Sequence, residues 1–249
     1  MSVHFDVTAA NAFLSFTVGG AAAVGTGART IAALIQLKSG NNNGGFLGAY
    51  HTGSVIVELF ATNNGGPKLF GQGDFSSGWG PSADGSAAMS LDTWYVTALT
   101  HPGTSAPWRM HIWPYAADGS GTMFHGVSTG AGNHTQTSTV ADELRVGGVD
   151  IKGNGDVAVT AWWARECSDA DLDALKTNLL TAWLGVPNGG PLECQHYRDW
   201  DGTSGAVIAT GTSTFSSQTG STTAGANPPS FDFSISAAMG QQLGLTQVF

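Results

Sequence analysis

Seven histidines, four glutamates and two cysteines carry most of the reactive chemistry this chain can offer, and their spacing limits what they can do. His4, His51, His101, His111, His125, His134 and His196 are never closer than nine residues, and no HExxH sets two of them on one helical face. Each reads as a surface or rim residue, with His111 alternating with Met110 and Ile112 on a strand and half-buried there. Cleavage of a glycosidic bond needs two carboxylates, about 5 Å apart in the retaining geometry, projecting from one face. Glu58, Glu143, Glu166 and Glu193 have no acidic neighbour two or four residues away. Asp142 and Glu143 are adjacent, so on a strand they point to opposite faces. No Gly-x-Ser-x-Gly elbow, phosphate-binding loop or dinucleotide fingerprint occurs. The chain therefore reads as non-enzymatic, with no catalytic residues.

Binding chemistry is sparser still. Cys167 and Cys194 lack CxxC spacing and read as two reduced, semi-buried thiols, a single bridge closing the loop between them being the alternative. No cofactor is expected. The one metal alternative is calcium on Asp150, Asn154 and Asp156 in VDIKGNGDV, against which stands the favoured reading of Asx turns capping a hairpin. Two tryptophans offer flat apolar faces to a sugar ring or a neighbouring subunit: Trp79 in the loop FSSGWGPS, and Trp200 between two aspartates.

The elements that must position these residues are short strands. Thr30–Leu37 is an almost unbroken apolar run between Gly-rich stretches, as expected of a core strand in a sheet packed on both faces. Phe46–Tyr50, Ser54–Ala61, Lys68–Gly71, Trp94–Thr100, Trp108–Tyr115, Glu143–Val149 and Asp156–Ala164 follow, divided by Gly, Asn, Asp and Ser clusters. Ile31, Leu34, Leu47, Val57, Val96, Leu99, Ile112, Val146, Val159 and Trp162 are the expected core. One segment differs: Ser168–Gly185 sets Leu172, Leu175, Leu179, Leu180, Trp183 and Leu184 on a helical stripe. Ser168 is its expected N-cap, and Gly185 followed by Pro187 its stop. The spacing predicts one amphipathic helix over 168–185. Residues 203–226 are rich in Thr, Ser and Gly and read as an edge hairpin or a linker; Ser230–Ile235 alternates like a last strand.

Only 11% of the 249 residues are charged, against roughly 25% in an average domain, and the net charge is −9. That balance excludes a nucleic-acid binder, which needs a basic face. No apolar run approaches the roughly 18 residues of a membrane span. The opening MSVHFDVTAA has neither a basic nor an apolar leader region, so no secretory signal is expected.

The order of segments from Val3 to Lys176 resembles the laminin-G-like, concanavalin-type jelly roll. VHFDVTAANAFLSF resembles its first strand and turn, TIAALIQLK its second core strand, and GGFLGAY, DTWYVTALT and ELRVGGV its later strands. GDVAVTAWWARECSDADLDALK is similar to its strand ending in Trp and Arg followed by a Ser-capped helix, which in that family covers one end of the sandwich. The resemblance implies an all-β, two-sheet antiparallel sandwich over residues 1–190, with a Gly/Ser/Thr-rich extension over 191–249 packed on it or on a neighbouring subunit. That extension resembles those of tailed-bacteriophage virion proteins. The implied function is a capsid decoration or minor tail protein on the virion surface, assembled in the host cytoplasm. It would contact major capsid or tail proteins and form a homo-oligomer such as a trimer. A carbohydrate-binding adhesin is the alternative, and a glycoside hydrolase the third reading.

Overall fold

A computed structural model of the protein describes residues 2–5, 13–17, 28–38, 43–51, 54–62, 68–73, 89–102, 109–127, 143–147, 154–163, 165–177, 183, 198–200, 207–209, 214–219 and 222–232. The strands of its first half are β1 (Val3–Phe5), β2 (Phe13–Thr17), β3 (Arg29–Leu37), β4 (Asn43–His51), β5 (Ser54–Thr62), β6 (Lys68–Gly73) and β7 (Trp94–His101). Then come β8 (Arg109–Pro114), β9 (Phe124–Val127), β10 (Glu143–Gly147), β11 (Gly155–Trp163), the helix α1 (Asp169–Asp173) and one 3₁₀ turn, Ala174–Lys176. The chain ends in β12 (Arg198–Trp200), β13 (Val207–Ala209), β14 (Thr214–Thr219) and β15 (Thr222–Ala224).

Among the described residues all the pairings are antiparallel and fall into two sheets. One runs β13-β12-β11-β3-β7-β8-β9, with β1 paired to both β11 and β15; the other runs β14-β2-β10-β4-β5-β6. Strands β3 and β8 of the first approach β4, β5 and β6 of the second. The expected all-β, two-sheet antiparallel jelly roll with one short helix is therefore the fold. Strands β12 to β15, from the Gly/Ser/Thr-rich part of the chain, are members of these two sheets.

The continuous apolar run of β3 has a simple cause: Ile31 to Gln36 are buried on both faces. On one face, Ala32 and Leu34 join Val96, Ala98, Trp113, Val159, Ala161 and Trp163 in a core capped by Leu172, Leu175, Trp183 and Phe231. The helix thus lies over a face of the nine-stranded sheet, not over an end of the sandwich. Ile31, Leu34, Val96, Leu99, Ile112, Val146 and Val159 are buried as expected. The side chains of Leu47, Val57 and Trp162 lie outside the described residues.

The N-terminus of α1 follows the expectation from sequence. Ser168 is extended (φ −73°, ψ 164°), its Oγ accepts from the Asp171 N–H, and the Asp171 carboxylate accepts from the Ser168 N–H at 2.9 Å. Its length does not. The helix tightens to a 3₁₀ turn at Ala174–Lys176 and ends at Thr177, which is extended (ψ 150°). Leu172 and Leu175 are both seated in the core, and Lys176 donates to the Gly121 carbonyl, so the last turn is also held against the β8–β9 loop. Trp183 is helical and buried; 178–182 and 184–185 lie outside the described residues. Of the expected last strand over 230–235, the first residues belong to a turn, Asp232 is a single β-bridge residue, and 233–235 lie outside the described residues. Pro228 to Phe231 form a turn, closed by the Phe231 N–H on the Pro228 carbonyl (3.3 Å), and Ser230 is left-handed at φ 56°. Phe231 packs beside Tyr115, whose hydroxyl donates to the Pro229 carbonyl.

Candidate functional site

The hairpin β8–β9 sets Arg109, His111 and His125 on the face of the sheet that α1 covers. Arg109 pairs with Val127 and His111 with His125, while β7 places Ala98 opposite His111 and Thr100 opposite Arg109. Directly paired residues share a face, so the two imidazoles meet across the strands. Their Nδ1 atoms are 2.8 Å apart and the rings are tilted edge to face. The Nε2 of His111 lies 3.1 Å from the Thr100 hydroxyl.

The helix supplies the acidic half. Asp169 and Asp173 are four residues apart and so share one side of α1. Asp169 Oδ1 lies 3.6 Å from His125 Nδ1, and Asp173 Oδ1 lies 3.6 Å from His125 Nε2. Arg109 donates to Asp169 Oδ2 at 2.9 Å, and its guanidinium lies 2.7 Å from Oδ1, so the ion pair reaches both carboxylate oxygens. The cluster is a polar margin to the apolar core beneath Leu172 and Leu175.

Its electrostatics follow from position. His111 is fully buried, and desolvation pushes its pKa down to about 3, with the charges of His125 and Arg109 acting in the same direction. It is a neutral imidazole at physiological pH. The hydrogen bond from Arg109 holds the Asp169 carboxyl below its ordinary value and therefore ionised. His111, Thr100 and His125 form a pinned array against an anionic helix start.

Beside the cluster opens a surface cleft of about 690 Å³, lined by Arg109, Arg165, Glu166 and the 167–171 segment. Asp169 is shared between cluster and cleft. Asp171 is bound by the Ser168 cap and lies 3.2 Å from the Arg165 guanidinium. Cys167 is buried under the cleft and its N–H donates to the Thr30 hydroxyl.

The residues singled out in the sequence lie elsewhere. Trp200 ends β12, paired with Val207, and β11, β3 and β7 stand between that strand and β8. Trp79, Asp150 and Cys194 lie outside the described residues. Asn154 accepts the Lys38 N–H through its carbonyl. Asp156 is a strand residue, not a turn cap: its buried carboxylate lies 2.7 Å from His4 Nδ1 and accepts the Ala226 N–H at 3.2 Å. His111, expected half-buried at a rim, is instead wholly enclosed. Linear spacing hid the His111–His125 pair because a hairpin brings together residues 14 apart. The available signal was the Ala116–Gly121 turn centred between them.

Strand order and the two facing layers define an all-β, two-sheet antiparallel jelly-roll sandwich. No protein-family model and no curated protein matches the chain. Among solved structures, a heptameric SAP-like pentraxin from Limulus polyphemus is similar at 13% identity and TM-score 0.44, covering 71% of this chain and 82% of that one. The galectin LEC-6 from Caenorhabditis elegans gives 13% and 0.34, over 62% of this chain and 91% of its own. Trypanosoma rangeli sialidase in complex with sialic acid gives 14% and 0.43 over 61% of this chain, which spans only 23% of the sialidase. These likenesses are slight, and no functional residue is carried across from them.

Proposed function

We propose that this protein is a non-enzymatic block that works by contact, the sandwich holding the β8–β9 hairpin and the start of α1 rigid while the cleft beside them meets a polar partner. The observation that carries this reading is the state of the cleft's acids. A glycosidase general acid needs a raised pKa and a second carboxylate at fixed distance. Here Asp169 is lowered by Arg109, and Asp171 is committed to the helix cap and Arg165. The cleft is a rim of two guanidiniums, a hydroxyl and carboxylates, suited to holding hydroxyl-rich groups.

The finer reading is a tailed-phage virion component, either a decoration or a minor tail protein. It is supported by the order of the laminin-G-like segments and by a low charge density, which lets many copies pack without repulsion. Negative-stain microscopy of purified particles with an antibody to this chain tests it: labelling on heads or tails is expected, and unlabelled particles refute it. Glycan adhesion is the second reading, favoured by the polar cleft. Binding of the purified protein to a panel of neutral and acidic oligosaccharides, lost in Arg109→Ala, supports it. Binding lost instead in Trp79→Ala or Trp200→Ala moves the glycan site away from the cleft, and hydrolysis of any panel member overturns the non-enzymatic reading.

A further inference from the structure

The proposal concerns the other side of Asp169, where the cluster closes on itself. We propose that His111 Nδ1, His125 Nδ1 and Asp169 Oδ1 form a binding site for a divalent transition metal of the zinc class, which clips α1 to the β8–β9 hairpin. One nitrogen of each imidazole and one Asp169 carboxylate oxygen lie within 4.8 Å of one another. A tetrahedral ion with bonds of about 2.0–2.1 Å sets its ligands about 3.4 Å apart. Two of the three separations, 2.8 Å between the imidazole nitrogens and 3.6 Å from His125 to Asp169, bracket that spacing, and side-chain rotation closes the third around an ion.

The donor set specifies the metal. Two imidazoles and one carboxylate suit zinc, cobalt, nickel or copper; calcium and magnesium prefer all-oxygen cages. The outer contacts are those that ligands need. The Thr100 hydroxyl fixes the His111 ring through Nε2 and leaves Nδ1 facing the cluster. Burial keeps that imidazole neutral, with its lone pair available. Arg109 clamps the Asp169 carboxylate, donating to Oδ2 and lying 2.7 Å from Oδ1, and so fixes Oδ1 at 3.6 Å from His125 Nδ1. Asp173 stands at the far nitrogen of His125 and steadies its ring. A fourth position would open toward the cleft that Asp169 also lines. The ligands come from three elements, β8, β9 and α1, so binding would tie a short helix to the sheet edge. This inference is independent of what the cleft contacts.

The test uses the full chain after EDTA treatment and desalting. Titration with Co²⁺ is expected to give visible d–d absorption that saturates at one equivalent and is displaced by Zn²⁺. His125→Ala and Asp169→Ala, both at the rim and so expected to keep the wild-type circular dichroism spectrum, should each weaken Co²⁺ binding at least about tenfold, the lower end of what even an outer-sphere partner costs. His111→Ala removes a buried side chain and is not relied upon. Absence of Co²⁺ absorption in the wild type, or equal affinity in both rim variants, overturns the proposal. In that case the Nδ1–Nδ1 contact is a hydrogen bond and nothing more.

Discussion

Lowering the pH from 7 to 4.5 in the presence of EDTA interrogates the burial of His111 directly. In the folded protein its pKa is about 3, chiefly because the enclosed ring loses its hydration; on unfolding it returns to 6.5. Between those values the unfolded chain carries a proton that the folded chain does not. Stability therefore falls as the pH drops below 6.5, and above that value this group has no effect. Each unit of that window is worth about 1.4 kcal/mol, so the interval from 6.5 to 4.5 should remove about 3 kcal/mol. No solvent discount is needed, because His111 is 0% exposed. Asp169 acts in a separate window: its folded pKa is depressed, so its contribution is present above 3.8 and lost only as the pH falls below that value. Urea denaturation followed by tryptophan fluorescence, run at half-unit steps from pH 7 to 4.5, measures the slope. His111→Gln, which has no proton to gain, should lose most of it. Parallel slopes for wild type and variant would refute the assignment of the acid sensitivity to this ring.

Three other perturbations test the architecture around the site. Ser168→Ala removes the reciprocal cap of α1 and should cost about 1 kcal/mol in urea denaturation, with the cleft residues most exposed to the change. Leu172→Ala empties a fully buried position in the core under the helix; a loss of about 2–5 kcal/mol is expected, and a loss under 1 would mean that α1 is not seated on Trp113 and Trp163. Gly225→Ala introduces a Cβ within 2.8 Å of Asp156 Oδ1 and against the Ser2 hydroxyl, and Gly225 N–H donates to the Ser2 carbonyl. It should lower the melting temperature and loosen the β1–β15 pairing, read as faster amide exchange at His4 and Thr223, the pair that bonds across these strands.

The fold was largely legible because it rests on local signals. The unbroken run of β3 implied burial on both faces, and Ser168 with Asp171 three residues on marked a helix start that the reciprocal bonds then bear out. Pattern reading was weaker on length. The leucine stripe continues past Lys176, yet the chain turns extended at Thr177, because the sheet holds Leu172 and Leu175 and the β8–β9 loop holds Lys176. Periodicity records which side of a segment is apolar; it does not record where a neighbour ends the helix.

The site was hidden for a related reason. Asp156, picked out by its place in a Gly-rich loop, is occupied by His4, 152 residues away. His111, His125 and Asp169 have no shared motif, and each alone suggests an ordinary surface residue. By itself the sequence determined the strands, the helix cap and the two-layer architecture, since hydrophobic period, turn residues and capping chemistry act over a few residues. Only the tertiary structure decided that two imidazoles meet an aspartate beneath a helix. Cross-strand register and the seat of α1 on the sheet are long-range outcomes of packing, and they alone set a buried neutral ring, a second imidazole and an ionised carboxylate side by side.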